Sequence, residues 1–237
     1  LELRHLVVEP GSWTRPRRLA AAAYPEAMPV TSYRTLARDA HGEIEEKNSR
    51  FLCRMAPSDS EEAARAVVEA ERRTHHDARH HCSAFVLGPD GRIERSNDDG
   101  EPAGTAGTPM LDVLRGSGYR DVTAVVTRWF GGTKLGAGGL VRAYGDAVRA
   151  ALENARPRER LLVREYSLVV AHAEAGRIEN DLRVAGFVVT GTDYAERATL
   201  HVATPPDQQD ALASAVAVAT GGGGVLVPGD ERWVDAP

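Results

Sequence analysis

Lysine is almost missing from this chain: Lys47 and Lys134 are the only two, and all other fixed positive charge is arginine. An arginine here therefore stands wherever any cation is needed and does not by itself announce a bidentate contact. Cysteine is nearly missing as well. Cys53 and Cys82 alone exclude a disulfide-stapled scaffold and a paired-cysteine metal knuckle, and they point to a reducing, cytoplasmic setting. There is no surplus of positive charge either: 29 Lys and Arg against 34 Asp and Glu give a formal net charge of -5. That balance excludes a polycation that coats nucleic acid indiscriminately, so any nucleic-acid surface must be a local patch. No apolar run is long enough for a membrane. The longest uncharged stretch, 211–229, is rich in alanine and interrupted by Gly221 to Gly224, and it reads as helix, turn and strand. Arg15 to Arg18 followed by Leu19 to Ala23 imitates a signal peptide, but the apolar stretch is short and stops at Tyr24-Pro25. The first methionine is Met28, and residues 1–27 read as a disordered or mis-started extension.

What is present is ordinary globular material. With 237 residues, 42% hydrophobic and 27% charged, the chain has the composition and length for two buried cores. Short alternating runs predict strands over 33–37 and 49–55. Ser58 with Glu61 matches a capping box that opens a helix to about Arg73, with Ala63, Ala64, Val67, Val68 and Ala70 on one face. Runs 82–87 and 92–96 flank Gly88-Pro89-Asp90-Gly91 and predict a hairpin. Thr108-Pro109 predicts a short capped helix ending near Gly116, and the β-branched run 122–127 predicts a buried strand. Leu140, Ala143, Tyr144, Ala147, Val148, Ala151 and Leu152 share one face of a helix that closes the first domain, residues 28–153. Pro157 among alternating charges marks 154–160 as a linker. From 161 to 233 the order strand, helix, strand, strand, helix, strand predicts a ferredoxin-like βαββαβ plait. The expected fold class is α+β.

Three stretches carry candidate chemistry. In the loop Asn97 to Gly107, the carboxylates Asp98, Asp99 and Glu101, with Thr105 nearby, could hold Mg²⁺, orient a basic partner, or simply cap the next helix. The second stretch has Arg128, Trp129, Phe130, Gly131, Gly132, Lys134, Gly136, Gly138, Gly139, Arg142 and Tyr144, with no acidic residue between Arg128 and Tyr144. Cations beside a glycine-rich helix start are the geometry of an anion site, though the run matches neither a Walker A loop nor Gly-x-Gly-x-x-Gly; Trp129 and Phe130 would stack on bases or join the core. The third is His75-His76-Asp77-Ala78-Arg79-His80-His81-Cys82. It lacks any recognisable zinc-ligand spacing, and His80 with Cys82 is a candidate nucleophile pair or two residues of a strand face.

Taken together, Ser49-Arg50-Phe51, Ala78, His80 and Cys82, Asp98-Asp99-Gly100-Glu101-Pro102, Gly104-Thr105-Ala106-Gly107, Thr127-Arg128-Trp129-Phe130-Gly131-Gly132, Lys134-Leu135-Gly136 and Gly138 to Tyr144 resemble the YigZ/IMPACT family. Trp129 stands where that family usually has tyrosine, and His81 where asparagine is common. The resemblance implies a first domain similar to the second domain of a small-subunit ribosomal protein, a plait similar to the C-terminal domain of elongation factor G, and a role in regulating translation. It names no reaction. The expectations are thus a cytoplasmic protein that binds RNA or the ribosome, or another anionic partner in the translation apparatus, through the basic glycine loop. The alternatives are a Mg-dependent hydrolase or phosphotransferase built on Asp98, Asp99 and Glu101, and a protein-interaction module without nucleic-acid binding. No cofactor is expected apart from Mg²⁺ in the enzyme reading, and no membrane partner. The sequence carries no signal of oligomeric state.

Overall fold

The computed structural model describes residues 30–236, so the expectation for residues 1–27 lies outside it. It is an α+β protein with two antiparallel five-stranded sheets. The first sheet takes β2 (Ala40–Glu46), β3 (Ser49–Pro57), β6 (Val122–Trp129), β4 (His80–Leu87) and β5 (Ile93–Asn97), in the spatial order β2-β3-β6-β4-β5. Three helices belong to it: α1 (Glu61–Thr74), α2 (Gly107–Ser117) and α3 (Ala137–Glu153). Strand alternation sorts its side chains. Phe51, Cys53 and Met55 of β3, Cys82, Ala84 and Val86 of β4, and Val122, Ala124 and Val126 of β6 point to one side, where they form one apolar core with Met110 and Leu114 of α2 and Leu140, Tyr144 and Val148 of α3. α3 crosses β2 so closely that a Cβ on Gly42 would lie 2.2 Å from the Ala151 backbone nitrogen; only glycine admits the approach.

The opposite side of this sheet carries α1, and its chemistry is different. The only buried residues of α1 are Ala64 and Glu71. The Glu71 carboxylate accepts from Arg54 of β3 at 3.1 Å, and Arg72 donates to Asp99 at 2.7 Å. The expected apolar face of Ala63, Val67, Val68 and Ala70 is only half-buried. The cap is Ser60 rather than Ser58: Ser60 Oγ accepts from Ala63 N–H at 3.2 Å.

The second sheet is built from β7 (Pro157–Val170), β8 (Val188–Tyr194), β9 (Ala198–Thr204) and β10 (Leu226–Asp235), with α4 (His172–Val184) and α5 (Gln209–Thr220) on one face. The order β8-β9-β7-β10, all antiparallel, is the expected βαββαβ plait. Leu168, Leu200, Val202, Ile178, Leu182, Leu212 and Val216 make its core.

Three further expectations need correction. Residues 154–160 are not a free linker: β7 begins at Pro157 and runs unbroken for 14 residues, because the charged alternation read as linker is the exposed end of a strand. The first strand, β1 (Ser32–Leu36), does not join the first sheet but pairs antiparallel with Pro157 to Leu161 of β7, end to end with β9 on the same edge. α2 starts at Gly107 with no side-chain cap from Thr108, and its C-cap is Gly118, in the left-handed region. No helix among the described residues is long and apolar enough to cross a membrane.

Candidate functional site

The acidic and glycine-rich loops, 30 residues apart in sequence, meet beside the end of β6. Gly131 makes the junction possible, since a Cβ there would lie 2.0 Å from the Asn48 carbonyl group; its N–H donates to Ser49 Oγ at 3.1 Å. From Gly136, in the left-handed region, the chain enters α3, whose first turn has no acidic residue and no capping side chain. Its N–H groups and the positive end of the helix dipole are therefore available to an anion. They open on a cleft of about 350 Å³ lined by Glu101, Arg128, Phe130, Lys134, Gly136 and Ala137. Lys134 and Phe130 are exposed. Arg142, one turn along α3, lies back over the helix start, its Nη1 3.9 Å from where a Cβ on Gly138 would be. Gly132 and Gly139 are parts of the same entry to the helix.

Arg128 is not a surface cation. It is 6% exposed, and Nη1 donates to Glu101 Oε1 at 2.5 Å. The same oxygen accepts from the Tyr144 hydroxyl at 2.7 Å. The Arg128 guanidinium stacks 5.3 Å from the Phe51 ring and 5.7 Å from that of Phe130. Burial, reinforced by the nearby thiol and carboxylate, raises the Tyr144 hydroxyl far above the ordinary tyrosine range, so it stays protonated and donates.

The neighbours Arg128 and Trp129 point to opposite sides of the sheet, as the pleat requires. Trp129 faces the α1 side, where Nε1 donates to Asp77 at 2.8 Å, Arg50 lies 4.8 Å above the ring and His75 packs edge-on at 5.3 Å. The alternation Val122, Ala124, Val126 already put Arg128 in core register, and that signal could have separated the two.

Each carboxylate of the acidic loop has an internal task. Asp98 accepts from the N–H groups of Gly104, Ala106 and Gly107 at 2.7, 3.0 and 2.7 Å, which ties down the start of α2. Burial pushes this carboxyl up, but the three backbone donors outweigh it and hold it below the ordinary carboxylate range. Asp99 accepts from Arg72 and from the His81 N–H, each at 2.7 Å. Thr105 donates to the Pro102 carbonyl at 2.6 Å. Among the described residues, no group of three His, Cys, Asp or Glu side chains is placed to hold a metal ion. His80 Nδ1 donates to the Asp99 carbonyl at 2.9 Å, and the Cys82 thiol donates to that of Asp98 at 3.0 Å. Burial pushes the Cys82 thiol up to about 12, so it rests as a protonated thiol at neutral pH.

One alignment escaped the sequence reading because it spans three strands. On the plait, Ser167, His201 and Asp193 lie in a row, with Nδ1 3.5 Å from Ser167 Oγ and Nε2 2.9 Å from Asp193 Oδ2. The Asp193 side chain is 79% exposed, so the row ends in open solvent.

Comparison with known proteins fits this arrangement. Residues 47–152 match the Impact N-terminal domain, and residues 168–222 match a domain of unknown function, DUF1949. IMPACT family member YvyE of Bacillus subtilis is 36% identical over 204 residues, 86% of this chain and 94% of that protein. IMPACT family member YigZ of Escherichia coli is 45% identical over 161 residues, 67% of this chain and 79% of that one. A crystal structure described only as that of a hypothetical protein superposes with a TM-score of 0.59 at 39% identity, over 83% of this chain and 97% of the other. With its two domain matches in the same order as its two sheets, and relatives aligned over most of their own length, the chain belongs to the IMPACT family.

Proposed function

We propose that this chain is a translation-associated regulatory protein that grips an anionic partner, RNA phosphate, at the start of α3. The observation that carries the reading is the uncapped helix N-terminus opening on a cleft with Lys134, with Arg142 lying over its first turn. Backbone N–H groups, a helix dipole and two exposed cations make a local anion surface on a chain whose overall charge is negative. Exposed Phe130 adds an apolar face beside it. Membership of the IMPACT family supports the translation setting. The metal-dependent reading fares worse, since Mg²⁺ would have to displace the three N–H donors held by Asp98 and the arginines held by Asp99 and Glu101.

The test is binding of the purified protein to ribosomes and to short single-stranded RNA across a salt series, beside the variant Lys134→Ala/Arg142→Ala. Binding should weaken with salt, and the variant should flatten the dependence by about one to two released ions without lowering the unfolding midpoint. An absence of binding at low salt overturns the reading.

A further inference from the structure

The cleft at the start of α3 contains a group that a simple phosphate site has no use for, a carboxylate. Glu101 lines it together with Lys134, Phe130 and Arg128. Oε1 of Glu101 is doubly occupied, by Arg128 Nη1 and the Tyr144 hydroxyl, and neither of these hydrogen bonds uses Oε2. Arg128 is itself under-used: one N–H goes to Glu101, and Nε, in a side chain nine-tenths buried, has no acceptor among the described residues. A carboxylate oxygen so close to an anion site repels the ligand unless the ligand brings a donor to face it. Within a nucleic-acid strand, the sugar donor that accompanies each phosphate is the 2′-hydroxyl, present in RNA and missing from DNA. The volume of about 350 Å³ suits one splayed nucleotide rather than a duplex, and Phe130, 52% exposed, offers its base a stacking face.

We propose that Glu101 is a specificity residue that accepts a hydrogen bond from the ribose 2′-hydroxyl of single-stranded RNA, while the adjoining phosphate rests on the α3 N-terminus and Lys134. The proposal builds on the anionic-partner reading above and adds a sugar preference that a bare phosphate site would not have.

Chemistry on the ligand side tests it without disturbing the protein. One short single-stranded sequence is prepared as RNA, as 2′-fluoro RNA, which keeps the sugar pucker but has no hydroxyl proton, and as 2′-deoxy DNA, and each is titrated into the full chain by fluorescence anisotropy. RNA should bind roughly tenfold to a hundredfold more tightly than either analogue, as expected for losing a hydrogen bond to a charged acceptor. Glu101→Gln, which keeps an oxygen for Arg128 and Tyr144, should narrow the gap between RNA and 2′-fluoro RNA to within about threefold, provided its unfolding midpoint shows that it folds. Equal, salt-sensitive binding of all three by the wild-type chain overturns the role of Glu101 and leaves the anion site standing; binding of none overturns both.

Discussion

Two glutamate–arginine pairs hold the two faces of one sheet, and they do so in unlike surroundings. Glu101 and Arg128 lie on the α2–α3 side with 4% and 7% of their side chains exposed, walled by Phe51, Phe130 and Tyr144. Glu71 and Arg54 lie on the α1 side with 6% and 26% exposed, and Arg54 has a second carboxylate, Asp39, at 2.7 Å. On the first side an ion pair is set into an apolar core and fixes the acidic loop to β6. On the second, ion pairs supplement a thinner apolar contact: α1 contributes one buried alanine, while Arg54 reaches Glu71 and Asp39 and Arg72 reaches Asp99. The same chemical pair is thus a rivet in a dry wall on one face and one strand of a polar mesh on the other.

Cutting each pair separates them. Glu101→Ala leaves the Arg128 charge buried without a counter-ion and the Tyr144 hydroxyl without an acceptor, and should lower stability by about 3–5 kcal/mol in denaturant unfolding. A loss below about 1 kcal/mol would erase the contrast. Replacing the whole pair, Glu101→Leu with Arg128→Met, should recover much of that loss, because no charge is then stranded. Glu71→Ala should cost about 1–3 kcal/mol, since Arg54 keeps Asp39 and reaches water; a cost equal to that of Glu101→Ala would show the α1 side to be as dry as the other.

The smallest effect is a pH dependence confined to the α1 side. Burial holds the His81 imidazole below its ordinary value of 6.5, against the opposing pull of the His75 carbonyl and Asp99. A base whose folded pKa is depressed contributes stability that is fully present above about 6.5 and is lost as pH falls through the folded value. Wild type should therefore lose more stability than His81→Asn between neutral pH and about pH 5, measured as the difference in denaturant midpoints. Parallel pH profiles for the two proteins would remove His81 from the mesh.

Long periodic segments were the most legible in the sequence. The seven-residue stripe of α3, the alternation of β3 and the fully buried β-branched run of β6 appear as expected because burial decides them. The candidate site was half legible. Glycines, cations and the α3 start are where the pattern put them, but Arg128 reads as a surface cation only if its register with Val126 is ignored. What escaped was non-local. Asp98 holds a helix beginning nine residues later through a folded-back loop, as the capping reading of the acidic loop expects, whereas the local Thr108-Pro109 pattern points to a cap that the helix lacks. The charged residues of 157–160 look like a linker because one face of β7 is wet there and their strand partner, β1, lies some 125 residues earlier.

That last separation also sets an order of events while the chain is being made. β1 leaves the ribosome first, yet its partner in β7 follows only after the whole first sheet and its helices; at 5–20 residues per second the interval is roughly 6–25 s. For that time β1 has its bridge to Tyr119 and the Arg120 N–H donated to the Arg34 carbonyl to hold it, while the unit behind it can already close on its own core. The arrival of β7 then gives β1 its full antiparallel partner, so the first unit is tied to the edge of the second sheet before the rest of the plait has been made.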